Sequence, residues 1–385
     1  SHTTTPAGTK WWIPVTYART AANGGVYTPS DVLACAMLPD TKTTCPHVVL
    51  RDIAPHCLKL NIGTIGFYRV QYTLLQWQCL LTTFHTLPTE DRSGVIDDVF
   101  TIARSATMDQ GLLSTTYEIP LQFAAQLKQE QDLSVWTPGV DHLLYLLRVL
   151  ATPATADCAT KMNAFYLDVI GPRVTALGIV PAATDTHLTR LLWVKLVGSA
   201  AVHGHHATIA QAQAIYADPV QSKALLPDEQ SIVYKTVVRW GTKTDFNAIL
   251  ALYNAATFAP EKKRYMYALA ATRDPGLIQQ VLNMALGDTV RSQDTVSLLA
   301  AVGSYSEGRG LAWTFVKNNW DVLYARYGSG GFALTRLVLI ASRFTTKEML
   351  ADVKTFFQTH PVPAAERAVA RAMEEVEASA ARSTA

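Results

Sequence analysis

From about Thr73 to the end of the chain, apolar residues recur with the 3.6-residue period of an amphipathic helix, and they do so for ~310 residues. No other feature limits the fold as much. After Pro88, the residues Val95, Val99, Ile102, Ala103 and Ala106 share one helical face, and Glu90 and Asp91 sit in the first turn, where the helix dipole favours negative charge. Asp274-Pro275 reads as a helix start, with Asp as N-cap and Pro at the first helical position, ahead of Leu277, Ile278, Val281, Leu282 and Ala285. Thr345 and Glu348 form a capping-box pattern before Met349, Leu350, Val353, Phe356 and Phe357. Roughly fifteen such segments follow one another through short linkers, with no strand pattern among them. A chain of this kind buries its faces by stacking helix pairs, so a mainly α, HEAT- or armadillo-like α-solenoid is expected. Apolar residues make up 49% and charged residues only 17%, which suits helices that face other protein more than water.

The first ~72 residues differ from the rest and read as short strands. Trp11 to Tyr17 is β-rich, Val32 to Leu38 is a short apolar run, and Val48 to Leu50 and Cys57 to Ile62 follow. Phe67 to Tyr72 alternates, and Gly, Pro, Asn and Asp clusters separate the runs. A small antiparallel β-sandwich is expected here. The expected division is residues 1–9 as tag or linker, 10–72 as β-sandwich and 73–385 as solenoid, since 385 residues exceed one compact core. The N-terminus, Ser1 to Pro6, has no basic or apolar leader region and reads as a cut point. No apolar run approaches the ~18 residues of a membrane span. A net charge of +2 gives no reason to expect nucleic acid or an anionic membrane as partner. Lys262-Lys263-Arg264 follows Glu261 and reads as a solvated helix start. The five cysteines are odd in number, irregularly spaced and without a CxxC, so reduced thiols in a cytoplasmic protein are expected, with Cys35–Cys45 as the pair if the protein were secreted.

Among the ten histidines there is no His-Glu-x-x-His. The one cluster, His203-Gly204-His205-His206, lies between two helical patterns and reads as a solvated loop, since zinc would need a further ligand and a fixed geometry. His85, His142 and His187 are single residues, read as surface or satisfied histidines. Asp97 and Asp98 are adjacent on a helix and point about 100° apart, so they do not make a shared-proton dyad; a structural pairing with an Arg of the next helix is expected. Gly63-x-x-Gly66 precedes an expected strand rather than a helix and is no phosphate loop, and there is no G-x-S-x-G. The aromatics from Trp313 to Trp320 have helical spacing and read as core.

Two stretches resemble M1-family zinc aminopeptidases. Cys57 to Tyr72 is similar to the family's KLN-x-G-x-x-GFYR pattern, and Asp91 to Phe100 to its DR-x-G-x-x-DD-x-F helix, in the same order and spacing. Gly308 to Trp320 resembles a late G-x-x-x-x-W-x-F-x-x-x-NW helix. Val290 to Val296 and Phe356 to Arg367 look more narrowly like the puromycin-sensitive, cytoplasmic branch. The resemblance implies a parent of four domains, of which this chain is the third, a β-sandwich, and the fourth, a helical bowl. It also implies that the zinc ligands and the GAMEN motif lie in the second domain, so no catalytic or metal residue carries over. The partners implied are that zinc-peptidase domain and peptide substrates. An Arg on the bowl wall suits a peptide's C-terminal carboxylate, because guanidinium binds carboxylate bidentately. Arg309 is the position that matches, against the plainer reading of a helix-start Arg paired at the surface.

The family's sandwich has strands before Trp11 that are missing here, which predicts an open sheet edge and pairing or disorder at residues 1–30. Relatives also continue past Glu375-Val376-Glu377 into a further helix, so the last turn of the bowl is expected to be absent or frayed. The competing reading is a stand-alone α-solenoid that binds proteins without enzymatic activity, which has no need of a β-sandwich ahead of it.

Overall fold

The computed structural model describes residues 11–19, 28–29, 33–37, 57–105, 117–329 and 331–383. Val48 to Leu50, Cys45 and most of residues 1–30, for which pairing or disorder is expected, lie outside them. The chain divides into two compact units, Ser1–Leu143 and Leu144–Ala385.

In the first unit β1 (Trp11–Val15) pairs antiparallel with β4 (Leu33–Met37), Ile13 opposite Cys35. β2 (Tyr17–Arg19) lies between β3 (Thr28–Pro29) and β5 (Leu58–Leu60), also antiparallel. Phe67 to Tyr72 is not a strand, despite its alternation. Its backbone is held by side chains instead: the Val70 N–H donates to Asp98 Oδ2 (3.1 Å), so the segment has no need of a ladder partner.

Among the described residues of this unit there follow the α-helices α1 (Leu74–Thr82), α2 (Thr89–Ser105) and α3 (Glu118–Gln126), and α4 (Leu133–Leu150) begins in it. Trp77 is fully buried, edge-on to Tyr72 (4.8 Å) and to Phe123 (5.8 Å). A disulfide joins Cys57, just before β5, to Cys79 of α1, with Cα atoms 5.4 Å apart. This corrects the expectation of reduced thiols for these two residues. They are 22 residues apart, and only the packing of α1 beneath β5 brings them within bonding distance.

The second unit is helical throughout its described residues. After the end of α4 come α5 (Ala156–Leu177), α6 (His187–Val202), α7 (His206–Ala217), α8 (Pro219–Ala224), α9 (Pro227–Trp240), α10 (Lys243–Ala255) and α11 (Ala259–Leu269). Then follow α12 (Pro275–Met284), α13 (Ser292–Ser304), α14 (Ser306–Asn318), α15 (Trp320–Tyr327), α16 (Phe332–Val338), α17 (Lys347–Thr359) and α18 (Glu366–Ser383). Helices pack mainly on near neighbours in the chain: α5 on α6, α7 on α9, α10 on α11, α13 on α14 and α17 on α18. The mainly helical, sequentially paired architecture expected from the periodicity is what forms.

The caps show why the helices start where they do. Asp274 Oδ1 accepts from the Leu277 N–H (2.9 Å), with Pro275 in the first turn, as the sequence predicts. The cap of α17 is Thr346, one residue later than expected: its hydroxyl accepts from the Met349 N–H (3.3 Å), while Thr345 is buried. Trp313 and Trp320 are core residues, packed against Phe356 at 5.2 Å each. On α18, Ala368, Ala372, Val376 and Ala380 are buried at four-residue steps, and Arg382 Nη1 donates to the Tyr145 hydroxyl of α4 (2.7 Å). Among the described residues no helix is long and apolar enough to cross a membrane.

Candidate functional site

The DR-x-G-x-x-DD stretch is a structural junction. Asp91 is buried and holds Lys59 Nζ (3.1 Å) and the Gly63 N–H (2.8 Å) on one oxygen. Asp91 and Glu90 lie in the first turn of α2, as the sequence predicts, and Asp91 there also serves a buried ion pair. Gly94 is required by close approach, because a Cβ there would lie 2.5 Å from Thr64 Oγ1. Arg92 grips Glu130 with Nε (2.7 Å) and Nη2 (3.1 Å). Asp97 and Asp98 both take Arg69 Nη1, at 2.6 and 3.2 Å. The partner is thus the Arg of the preceding GFYR segment, not one on the next helix. His142 is satisfied: Nε2 lies 2.9 Å from Asp97 Oδ1, and the ring stacks on Phe100. Those contacts, first the His142 hydrogen bond and then Arg69, overcome burial and hold the Asp97 carboxyl down at about 2.

The histidine cluster does not fit zinc. His203 Nδ1 lies 3.1 Å from Asn163 Oδ1 and His205 Nδ1 lies 2.8 Å from Thr208 Oγ1, so the two rings are turned to different partners. His85, which meets Gln126, and exposed His187 belong to other elements. Among the described residues no group of three His, Cys, Asp or Glu could hold a metal ion.

Burial, aided by the Arg239 charge, brings the His203 imidazole from 6.5 down to about 4. The unfolded chain then binds the proton first, so stability is lost as pH falls from about 6.5 towards 4, and pH above that window has no further effect through this group. The loss is on the order of 3 kcal/mol at most. We expect urea midpoints to fall across this window in the wild type, and His203→Gln to flatten the curve. An unchanged slope in the variant would assign the acid sensitivity elsewhere.

Arg309 stands in the first turn of α14, half-buried. Its Nε is buried with no hydrogen-bond partner, and no carboxylate pairs with it among the described residues. Burial first, then the charges of Arg148 on α4 and of Arg343, lower its guanidinium to about 10, still cationic at neutral pH. Glu307, two residues earlier, is already engaged by Arg239 Nη2 (3.0 Å) and Arg273 Nε (3.2 Å). Burial pushes the Glu307 carboxyl up, but Arg239 and its hydrogen bonds outweigh this and hold it below the ordinary value. Arg239 and Arg273 also cover the Tyr305 and Trp240 rings, at 5.0 and 4.5 Å. Arg309 thus stands where two other arginines, Arg148 and Arg343, act on its charge. The sequence singled out Arg309 but not Arg148 or Arg343, which are brought to it from 161 residues before and 34 residues after by the helix stacking.

Residues 57–378 match the family described as the ERAP1-like C-terminal domain. Aminopeptidase M1 of Arabidopsis thaliana is 27% identical over 394 aligned residues, covering 96% of this chain and 42% of its own length. Human glutamyl aminopeptidase is 27% identical, covering 79% of this chain and 31% of its own length. Aminopeptidase M1-A of Oryza sativa subsp. japonica is 28% identical, covering 83% and 36%. The chain thus spans less than half the length of these relatives.

Proposed function

The chain belongs to the ERAP1-like C-terminal domain family of the M1 aminopeptidases, and on that premise we propose that it is the substrate-enclosing C-terminal region of a zinc aminopeptidase that removes N-terminal residues from peptides. The family match over residues 57–378 carries this reading. A zinc ion held in a zinc-peptidase domain would supply the activation of water against the first peptide bond. The residues of this chain do the rest: they enclose the peptide and hold its far end. Arg309, with Arg148 and Arg343 beside it, takes the C-terminal carboxylate. Ile65 and Phe67, 83% and 110% exposed at the tip of the GFYR segment, give an apolar surface suited to the zinc domain. The finer assignment to the puromycin-sensitive branch rests on Val290–Val296 and Phe356–Arg367. A cytoplasmic location belongs with that branch, but the Cys57–Cys79 disulfide favours an oxidising compartment instead.

The test uses the whole enzyme and this chain side by side. The whole enzyme is expected to hydrolyse aminoacyl-coumarin with stoichiometric zinc, and this chain alone to do neither. In the whole enzyme, Arg309→Met should raise KM about tenfold for peptides with a free carboxyl end and leave their amides and kcat unchanged. Ordinary turnover by this chain alone would sink the accessory reading, and an equal effect on amides would remove Arg309 from it.

A further inference from the structure

One helical turn from the arginine cluster there is a cavity of about 530 Å³, walled by α6, α9, Leu144 of α4 and the junction of α13 with α14. Its polar groups are nearly all engaged inside the protein. Ser199 shares a hydrogen bond with Tyr166 (2.6 Å), Thr236 donates to the Ile232 carbonyl (2.7 Å), and Ser231 to the Pro227 carbonyl (3.0 Å). Ser304 donates to the Ala301 carbonyl (2.6 Å), His203 meets Asn163, and Arg239 holds Glu307 and the Val202 carbonyl (3.1 Å). Three groups are not: the Tyr305 hydroxyl, the Asp228 carboxylate and the Lys235 ammonium. Lys235 lines the cavity from the middle of α9, and among the described residues it makes no hydrogen bond or ion pair. The carboxylate on the same wall, Asp228, is seven residues earlier on the helix, about 10 Å along its axis, too far to neutralise it. Burial lowers the Lys235 ammonium, with no opposing charge to hold it up.

The position of the cavity suggests what meets this charge. Leu144 and Arg148 are one turn apart on α4, and Tyr305 and Arg309 are one turn apart at the start of α14; Leu144 and Tyr305 line the cavity, and the Arg148 charge acts on Arg309. One turn is about 5.4 Å, and two extended peptide residues span about 6.6 Å. We propose that this cavity is a second carboxylate subsite, with Lys235 as its charged contact, and that it takes an Asp or Glu side chain within two residues of the carboxyl end of a bound peptide. The proposal rests on the peptide-enclosing reading above. It makes Lys235 a specificity-determining residue, separate from the arginines that hold the terminus itself.

Two probes on this chain test it. The first is a set of N-terminally fluorescein-labelled heptapeptides, neutral except for Glu or Gln one or two residues before a free carboxyl end, read by anisotropy. The Glu peptide should bind about tenfold tighter than its Gln partner, Lys235→Met should remove the difference, and Lys235→Arg should keep most of it. The second is ¹³C-methylation of the lysines, with the Lys235 signal identified by its loss in Lys235→Met and followed by NMR as glutarate or inorganic phosphate is added. A glutarate-dependent shift with no peptide binding would leave the carboxylate subsite standing and overturn the peptide reading. Peptide binding that does not distinguish Glu from Gln, with Lys235 unmoved by glutarate, would overturn the subsite and leave a lysine that only extends its head to water. A shift with phosphate and none with glutarate would also overturn it.

Discussion

Replacing Asp91 by alanine is expected to destabilise the fold by about 3–5 kcal/mol, because it strands a buried ammonium. The side chains of Lys59 and Asp91 are only 5% and 2% exposed. Lys59 Nζ keeps the carbonyls of Leu60 (2.6 Å) and Asn61 (3.1 Å), but neither carries a charge. Burial already lowers the Lys59 ammonium against the pull of Asp91, and without Asp91 only burial and the more distant Asp98 remain. The same oxygen anchors the Gly63 N–H, so the loop from Ile62 to Tyr68 loses that tie as well and keeps the bond from Thr64 Oγ1 to the Glu90 carbonyl (2.9 Å) at the start of α2. Denaturant midpoints of Asp91→Ala against wild type measure the loss. The double variant Lys59→Met, Asp91→Leu should recover much of it, since an apolar pair of similar volume often replaces a buried ion pair at little cost. A single-variant loss below about 1 kcal/mol would mean that water reaches Lys59, and that the pair behaves as a surface one.

Reducing the Cys57–Cys79 bond is expected to cost about 3 kcal/mol, the chain-entropy value for a loop of its size. The bond ties the start of β5 to the middle of α1, across a separation of 22 residues. Thermal midpoints with and without a phosphine reductant should differ in the wild type, and Cys79→Ser should start at the lower value and ignore the reductant. Peptide mapping that finds free thiols at both positions in protein from its native source, with a reductant-insensitive midpoint, would restore the reduced-thiol expectation.

The helices were legible because two independent signals agreed along most of the chain: an apolar stripe and a local start. Asp274-Pro275 is the clearest case, with the cap hydrogen bond where the residues predicted it. Thr345 misled by one position because two threonines stand in a row and only burial decides between them. Phe67 to Tyr72 misled because alternation records which faces are buried, not what the backbone bonds to. Here a carboxylate from α2 replaced the neighbouring strand. The family motif was legible as a motif, but not as a joint, because the contacts Lys59–Asp91 and Arg69–Asp97 join positions about thirty residues apart. Lys235 left no trace in the sequence. It occupies an ordinary position on an amphipathic helix, and what sets it apart is the partner it lacks.

The bond between Arg382 and Tyr145 has a consequence for how the second unit comes into being. Helices that touch only their sequence neighbours can form one after another as the chain leaves the ribosome. This contact joins residues 237 apart. α4 is therefore made long before the arginine that completes its surroundings. The pairing of α4 with α18 therefore waits on the synthesis of all the helices between them, and closing so long a span is the kind of step that slows folding.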